Sequence, residues 1–440
     1  MIVKNGMIWN GESFQKKDLY IQDGKFVSKS EFNGSGPVVD ATGLFVIPGF
    51  VDSHAHVIGT GIKLLTHDLN KENVNNIANS NENFVIARGW EVLPDNQSLQ
   101  FLNKLQKPVA LLRKCGHVAW VNNYLKNQLT FPDNLVYEAQ IEKIWEYFGD
   151  DFYEIAFQKG VQEFLKYGVT QVHSDDFHGI SFKKLKELLS NSKIRIFEKL
   201  CTINPWDYEF GTFNLSKIGG IKLFADGSLG GKTAYMFEPY VGTDHNGIFT
   251  IPDNIKDIIL FAQKNKLQLN IHTIGDKALH EVLRILKENQ ASTFEIKHRL
   301  IHLQFLKKED FSKLKDYYLS VQPHFYFEDL EIIKFARYEM AYPFLEMHKA
   351  GCDIAFSTDS PVSPADPKYV IENALKMGFS KQEAINLYTE KGSRMADIKA
   401  GKIKEGYLAD FCLFDSNPLE SEPLAVYING NEVLNTHGGV

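Results

Sequence analysis

Two histidines separated by one residue, His54 and His56 in PGFVDSHAHV, follow a Pro-Gly turn and an apolar run. On a strand such residues point to the same side, so both imidazoles can reach one cation. The pair alone is weak evidence, but the pattern of an apolar run that ends in a chemically active residue recurs. IKLFADG ends with Lys222 and Asp226, LQLNIHTIGD with His272, RLIHLQ with His302, and DIAFSTDSP with Asp359. If these ends converge, imidazoles and a carboxylate surround a common point, which is what a hydrolytic metal site needs for ligands and for a base. Asp359 has an alternative use as a cap for a helix after Ser360-Pro361.

Lys222 also has two readings. Alternation places Lys222, Phe224 and Asp226 on one strand face, so a buried Lys222–Asp226 ion pair is one of them. The other is a metal ligand: burial lowers a lysine pKa, and the neutral amine can add carbon dioxide to give a carbamate that bridges two hard cations. Gly230-Gly231-Lys232-Thr233 resembles the end of a phosphate-binding loop, but that loop needs a glycine where Asp226 stands. GSLGGKTAYMFEPYVGTDHNG is therefore read as a long strand-to-helix loop over the site.

The elements that position these residues are legible as alternation. Apolar strand candidates VIARGW, PVALLRKC, GVTQVHSD, IRIFEKL, IKLFADG, LQLNIHTIG, RLIHLQ, YLSVQPHF and CDIAFSTDS are interspersed with amphipathic stretches, including IEKIWEYFGDDFYEIAFQKGVQEFLKYG, NIKDIILFAQKNK, DKALHEVLRILKEN and KQEAINLYTEKGSRMAD. Parallel strands sheathed by helices follow, and in a β/α barrel the strand ends meet on one face. The two ends of the chain differ from this. Residues 1 to about 48 and the last forty are short strands broken by Asn5-Gly6, Asp23-Gly24 and Asn429-Gly430, pairs that favour hairpin turns. Neither end closes a core alone, so they are expected to pack together. The division is residues 1–48 and 401–440 for a small β domain, with a barrel over 49–400.

Composition agrees with a soluble enzyme. The 440 residues are 44% hydrophobic and 23% charged, and the net charge of -7 (48 minus 55) carries no long basic block. Nucleic acid and anionic membrane are disfavoured as partners, leaving a small-molecule substrate. Cys115, Cys201, Cys352 and Cys412 lie far apart, as reduced thiols do rather than disulfide or thiolate-zinc sets. No apolar leader or membrane-length run is present, so the expected location is cytoplasmic; a homodimer is the default assembly.

The set PGFVDSHAHV, IKLFADGSLG, NIHTIGD, HRLIHLQ and AFSTDSPVSPADP, with RKCGHVAWVNN and the closing KGSRMADIKAGKIKEGYLADFCLFD, resembles the YtcJ-like branch of the amidohydrolase superfamily over nearly the whole chain. The resemblance implies a distorted eight-stranded (β/α)8 TIM-like barrel, a small β-sandwich from both chain ends, and one or two divalent metals, commonly zinc. Carried over by position, it makes His54, His56, Lys222, His272, His302 and Asp359 the metal site. Ile301 stands where relatives often carry a glutamate, which removes one expected support for His302. The chain is also short between His117 and Ile141, where Glu138 matches a glutamate of the family.

The mechanism expected is hydrolysis of a non-peptide amide, cyclic amide or ester. One metal sits on His54, His56 and Asp359 and a second on His272 and His302, with carbamylated Lys222 between them. Water acidified from a pKa of 15.7 to about 7 attacks, and Asp359 carries its proton to the leaving group. Arg113, His117, Asp226, Gln322 and His324 are the candidates for substrate contacts. Two rivals remain. A nucleobase deaminase would want a glutamate three residues after His272, where Gly275 stands, and a catalytically silent binding protein on the same scaffold would show missing ligands.

Overall fold

Eight strands run in one direction and in sequence order: β1 (Phe50–Ala55), β2 (Val169–Ser174), β3 (Arg195–Cys201), β4 (Ser216–Phe224), β5 (Gln268–Thr273), β6 (Arg299–His302), β7 (Tyr318–Val321) and β8 (Asp353–Phe356). Every neighbouring pair is parallel, and Gly211–Phe213 adds a short antiparallel edge to β4. This computed structural model describes residues 1–72, 74–78, 83–90, 92–113, 118–137, 139–290 and 295–436. The strands are buried along nearly their whole length because helices such as Ile255–Lys264 and Asp276–Glu288 cover their outer faces. The result is a nearly closed TIM-like barrel. Between β6 and β7 a 3-10 segment, Lys308–Asp316, stands in place of a regular helix.

The seam between β1 and β8 is closed by polar groups more than by a continuous ladder. Asp52 on β1 accepts from the Thr358 backbone N–H (3.1 Å), the Thr358 hydroxyl (2.6 Å), the Tyr388 hydroxyl (2.6 Å) and the His54 N–H (3.1 Å). Beside it the Ser53 hydroxyl donates to the Phe356 carbonyl at 2.8 Å. Burial raises the Asp52 carboxyl to about 6 against the pull of these donors. Arg299, fully buried, crosses the barrel interior to the Ser53 carbonyl and His173 Nδ1, each at 2.8 Å.

Both ends of the chain enter one sheet. Its order runs Asn431–Asn435, Ala425–Ile428, Phe411–Phe414, Phe45–Pro48, Ile2–Trp9, Phe14–Gln22 and Lys25–Val27, with Val38–Asp40 paired to Ile2–Trp9. Val3, Leu19, Val46, Phe411 and Tyr427 are among the residues of its apolar core. Asp23-Gly24 and Asn429-Gly430, with φ of 51°, 75°, 52° and 72°, are the two-residue hairpin turns expected of them. Asn5-Gly6 is not a turn. It is a register shift inside Ile2–Trp9, and a Cβ at Gly6 would meet Val46 Cγ2 at 2.9 Å. Arg195 at the start of β3 binds Asp410 at 2.5 Å and also Asn429.

The chain forms two compact units, Met1–Val57 with Val161–Asp176 and Leu189–Val440, and Ile58–Gly160 with Phe177–Leu188. VIARGW and PVALLRKC, expected among the barrel strands, lie in the second unit. There Val85–Trp90 and Val109–Arg113 are adjacent in a five-stranded sheet over a core including Trp90, Leu111 and Trp120. Two long helical stretches are broken: Ala139–Lys166 by Gly149 (φ 60°, ψ -164°), and 381–397 at Thr389, between Lys381–Leu387 and Glu390–Met395. Among the described residues no helix is long and apolar enough to cross a membrane.

Replacing Asp52 by alanine strands several buried donors at once, whereas Tyr388→Phe removes one. Denaturant unfolding should show a loss of about 3–5 kcal/mol for Asp52→Ala and about 1–3 kcal/mol for Tyr388→Phe. Equal losses would mean that Asp52 does not hold the seam.

Candidate metal centre

Three imidazoles are each tied down through Nδ1. His54 at the end of β1 meets the Lys199 amine at 2.8 Å, His56 meets the Asp175 carbonyl at 2.8 Å, and His302 at the end of β6 meets Gln322 Oε1 at 3.0 Å. The carbonyl and amide oxygens accept from His56 and His302, so Nδ1 carries the proton there and Nε2 the lone pair; at His54 the Lys199 amine, which burial drives well below the ordinary lysine range, fills the same accepting role. The Nε2 atoms of His54 and His56 both face Asp359 Oδ1, at 3.3 and 3.4 Å. His54, His302 and Asp359 offer ligand atoms within 4.8 Å of one another. The His302 ring lies 5.3 Å from that of His54 and 4.4 Å from that of His272, centre to centre. At His272 it is Nε2 that contacts the Gly227 carbonyl (3.0 Å), so Nδ1 is the nitrogen this contact leaves.

The backbone is bent to bring these groups in. Asp359 and His302 have φ of 56° and 79°, a region that side chains other than glycine seldom occupy and that accumulates at functional sites. The Asp359 N–H donates to the His54 carbonyl at 2.9 Å, which joins the ends of β8 and β1. Asp359 caps no helix. The next one, Pro367–Lys376, is capped by the Asp366 side chain on the Lys368 N–H.

The electrostatics suit a cation. Burial drives His54, His272 and His302 down, His302 to about 4, so these rings are neutral at pH 7 and keep lone pairs. Burial opposes ionisation of Asp359, yet the His56 hydrogen bond and the nearby His302, His56 and Lys222 hold its carboxyl below the usual range. At His56 burial is outweighed by the hydrogen bond to Asp359 and by the Asp175 and Asp359 carboxylates, which raise it. Three neutral imidazoles and an ionised carboxylate are the form in which such groups bind zinc-type ions, so the residues present fit a divalent metal.

Lys222 at the end of β4 is fully buried, and its amine pairs with Asp175 at 2.6 Å. The alternative reading of Lys222, an ion pair with Asp226, is not what forms. Asp226 instead accepts from the backbone N–H groups of Ile274 (3.0 Å), Gly275 (2.7 Å) and Tyr235 (2.9 Å), and burial raises it to about 7. It thereby pins the glycine-rich loop to the loop after β5.

Gln322, placed by β7, also donates to the Ser357 hydroxyl at 2.8 Å, so its amide supports His302 where Ile301 offers nothing. His324 is buried beside Thr358 and Asp359 and is held to about 4 by burial, against the Asp359 charge and a contact with the Thr358 backbone. Arg113 ends a strand of the second unit, 5.9 Å over the Trp90 ring. His117, Cys115 and Glu138 lie outside the described residues. Sequence reasoning passed over Lys199 and Asp175. The signal was present in IRIFEKL, because adjacent Glu198 and Lys199 inside a fully buried strand are out of place in a parallel sheet.

The barrel and the histidines and carboxylate at its strand ends accord with a metal-dependent hydrolase, and the chain belongs to the amidohydrolase family, whose model matches residues 37–434. It is similar to YtcJ of Bacillus subtilis, with 25% identity over 96% of each chain. The solved metal-dependent hydrolases of Pyrococcus furiosus and Pyrococcus horikoshii share 25% identity with it. The first covers 95% of this chain and 99% of its own at a TM-score of 0.81, the second 96% and 98% at 0.82. The chain is thus a metal-dependent hydrolase acting on carbon–nitrogen bonds of small molecules.

Asp226 yields a test by pH. A carboxyl raised to about 7 from 3.8 favours the folded state below pH 4 and withdraws that support as pH rises to 7. Relative to Asp226→Asn, the metal-free wild type should therefore lose up to roughly 4 kcal/mol across this window and change little above it. A difference independent of pH between 4 and 8 would contradict the assignment.

Proposed function

We propose that His54, His56, Lys222, His272, His302 and Asp359 hold one or two divalent ions, zinc foremost, and that the substrate is a non-peptide amide or cyclic amide, with esters as a secondary class. The observation that carries this is the pair of Nε2 atoms converging on Asp359 Oδ1 while each ring is held from behind through Nδ1. A bound ion supplies Lewis acidity, lowering the pKa of water from 15.7 to about 7 and polarising the scissile carbonyl.

The chain's own residues do the rest. Asp359, ionised and ringed by imidazoles, orients the attacking water, accepts its proton and passes it to the departing nitrogen. Gln322 keeps His302 in one orientation, and His324, buried beside Asp359, contacts the substrate. Lys222, as a carbamate, adds a carboxylate to the ligand set; the unmodified amine is held at the strand end by Asp175. Asp226 acts through the loops it pins. Deamination is disfavoured because Gly275, three residues after His272, has no side chain to move a proton.

We further propose a small β domain from residues 1–48 and 401–440 beside the barrel region 49–400, a cytoplasmic location, and a homodimer.

Protein purified without chelators should carry about one or two divalent ions per chain by elemental analysis, and none at all would end the proposal. Lys222→Ala should lose metal and amide hydrolysis, with partial recovery on adding short carboxylic acids. An active, metal-replete alanine variant would remove Lys222 from the site.

A further inference from the structure

The side chain that holds His54 comes from two strands away. Lys199 starts on β3 and passes β2, where its amine bonds to the His173 carbonyl at 2.7 Å. It ends 2.8 Å from His54 Nδ1 on β1. It is fully buried, as are His54 and His173. Its path is kept clear by a glycine: a Cβ on Gly220 of β4 would stand 3.2 Å from Lys199 Cγ and 2.4 Å from Asn270 Nδ2.

Burying an amine is unfavourable unless its bonds are satisfied, and a methionine would fill the same space with no such demand. The amine therefore adds something that packing does not. We propose that Lys199 is a positioning residue of the metal centre: its Nζ donates to the His173 carbonyl and accepts from the His54 Nδ1–H, which fixes the angle at which His54 presents the Nε2 lone pair.

The geometry shows why a long side chain is used. His56 and His302 are held by groups close to them, a loop carbonyl and an amide on the adjoining strand end. His54 sits on a strand whose neighbour, β2, gives its carbonyl to Lys199 rather than to the ring. A four-carbon stem from β3 spans the gap and locks three successive strands to one imidazole. Loss of such outer contacts to a metal-bound histidine lowers metal affinity about 10–100-fold.

This inference rests on the metal reading, and the experiment separates the two. Full-length wild type, Lys199→Met and Lys199→Gln are stripped of metal, checked for folding by circular dichroism, and titrated with Co2+ against a competing chelator while the visible spectrum of the bound ion is recorded. Lys199→Met should bind Co2+ about 10–100-fold more weakly and with an altered spectrum. Lys199→Gln, whose amide can bond both the ring and the carbonyl, should lose less. Wild-type affinity and spectrum in whichever variant folds would overturn the role of Lys199 alone. A wild type that takes up no Co2+ would overturn the metal reading and this inference with it.

Discussion

A metal-bound imidazole almost always has its other nitrogen restrained by a partner, and three histidines on the carboxyl-terminal rim of this barrel are restrained in that way. His54, His56 and His302 are restrained by three chemically different partners: an amine, a backbone carbonyl and a side-chain amide. None of these partners is adjacent in sequence to the histidine it holds. The barrel's parallel register brings them together, because each strand delivers its last residues to the same face.

The interior beneath that rim is charged to an unusual degree for a core. Lys199, Lys222, Arg299, Asp52, Asp175 and Glu198 are all fully buried. Such groups are tolerated only when each finds partners, since an unpaired buried charge costs several kcal/mol. Lys222 finds Asp175, Asp52 finds Thr358 and Tyr388, and Arg299 finds two backbone carbonyls and His173. Burial, with Lys222 and Arg299 close by, drives Lys199 well below the ordinary lysine range, and burial with Asp176 raises Glu198. These contacts fix strand to strand, although Glu198 Oε2 and Arg299 Nε are buried with no hydrogen-bond partner among the described residues. Support of the site and closure of the barrel are thus largely one network.

The strand-end residues were legible in the sequence because position at the end of an apolar run is local information. His54, His56, Lys222, His272, His302 and Asp359 needed only that pattern and the barrel rule to be placed on one rim. Partners were not legible, because pairing depends on which strands become neighbours and how far a side chain reaches. An ion pair with Asp226, four residues away, was the alternative reading of Lys222, and its amine instead meets Asp175 from the end of β2. Asp226 is turned to loop N–H groups that no periodicity reveals. Asn5-Gly6 looked like a hairpin turn, but the residues after it continue the same strand past Val46. VIARGW and PVALLRKC read as barrel strands because a buried parallel strand has the same composition in any sheet.

The most direct test is crystallographic: diffraction from zinc-soaked crystals on either side of the zinc absorption edge, which locates the ion by its anomalous signal alone. The account predicts a peak within about 2.0–2.2 Å of an Asp359 carboxylate oxygen and of Nε2 of at least two of His54, His56 and His302. A zinc peak elsewhere on the chain, with none bound to Asp359 and these histidines, would contradict it.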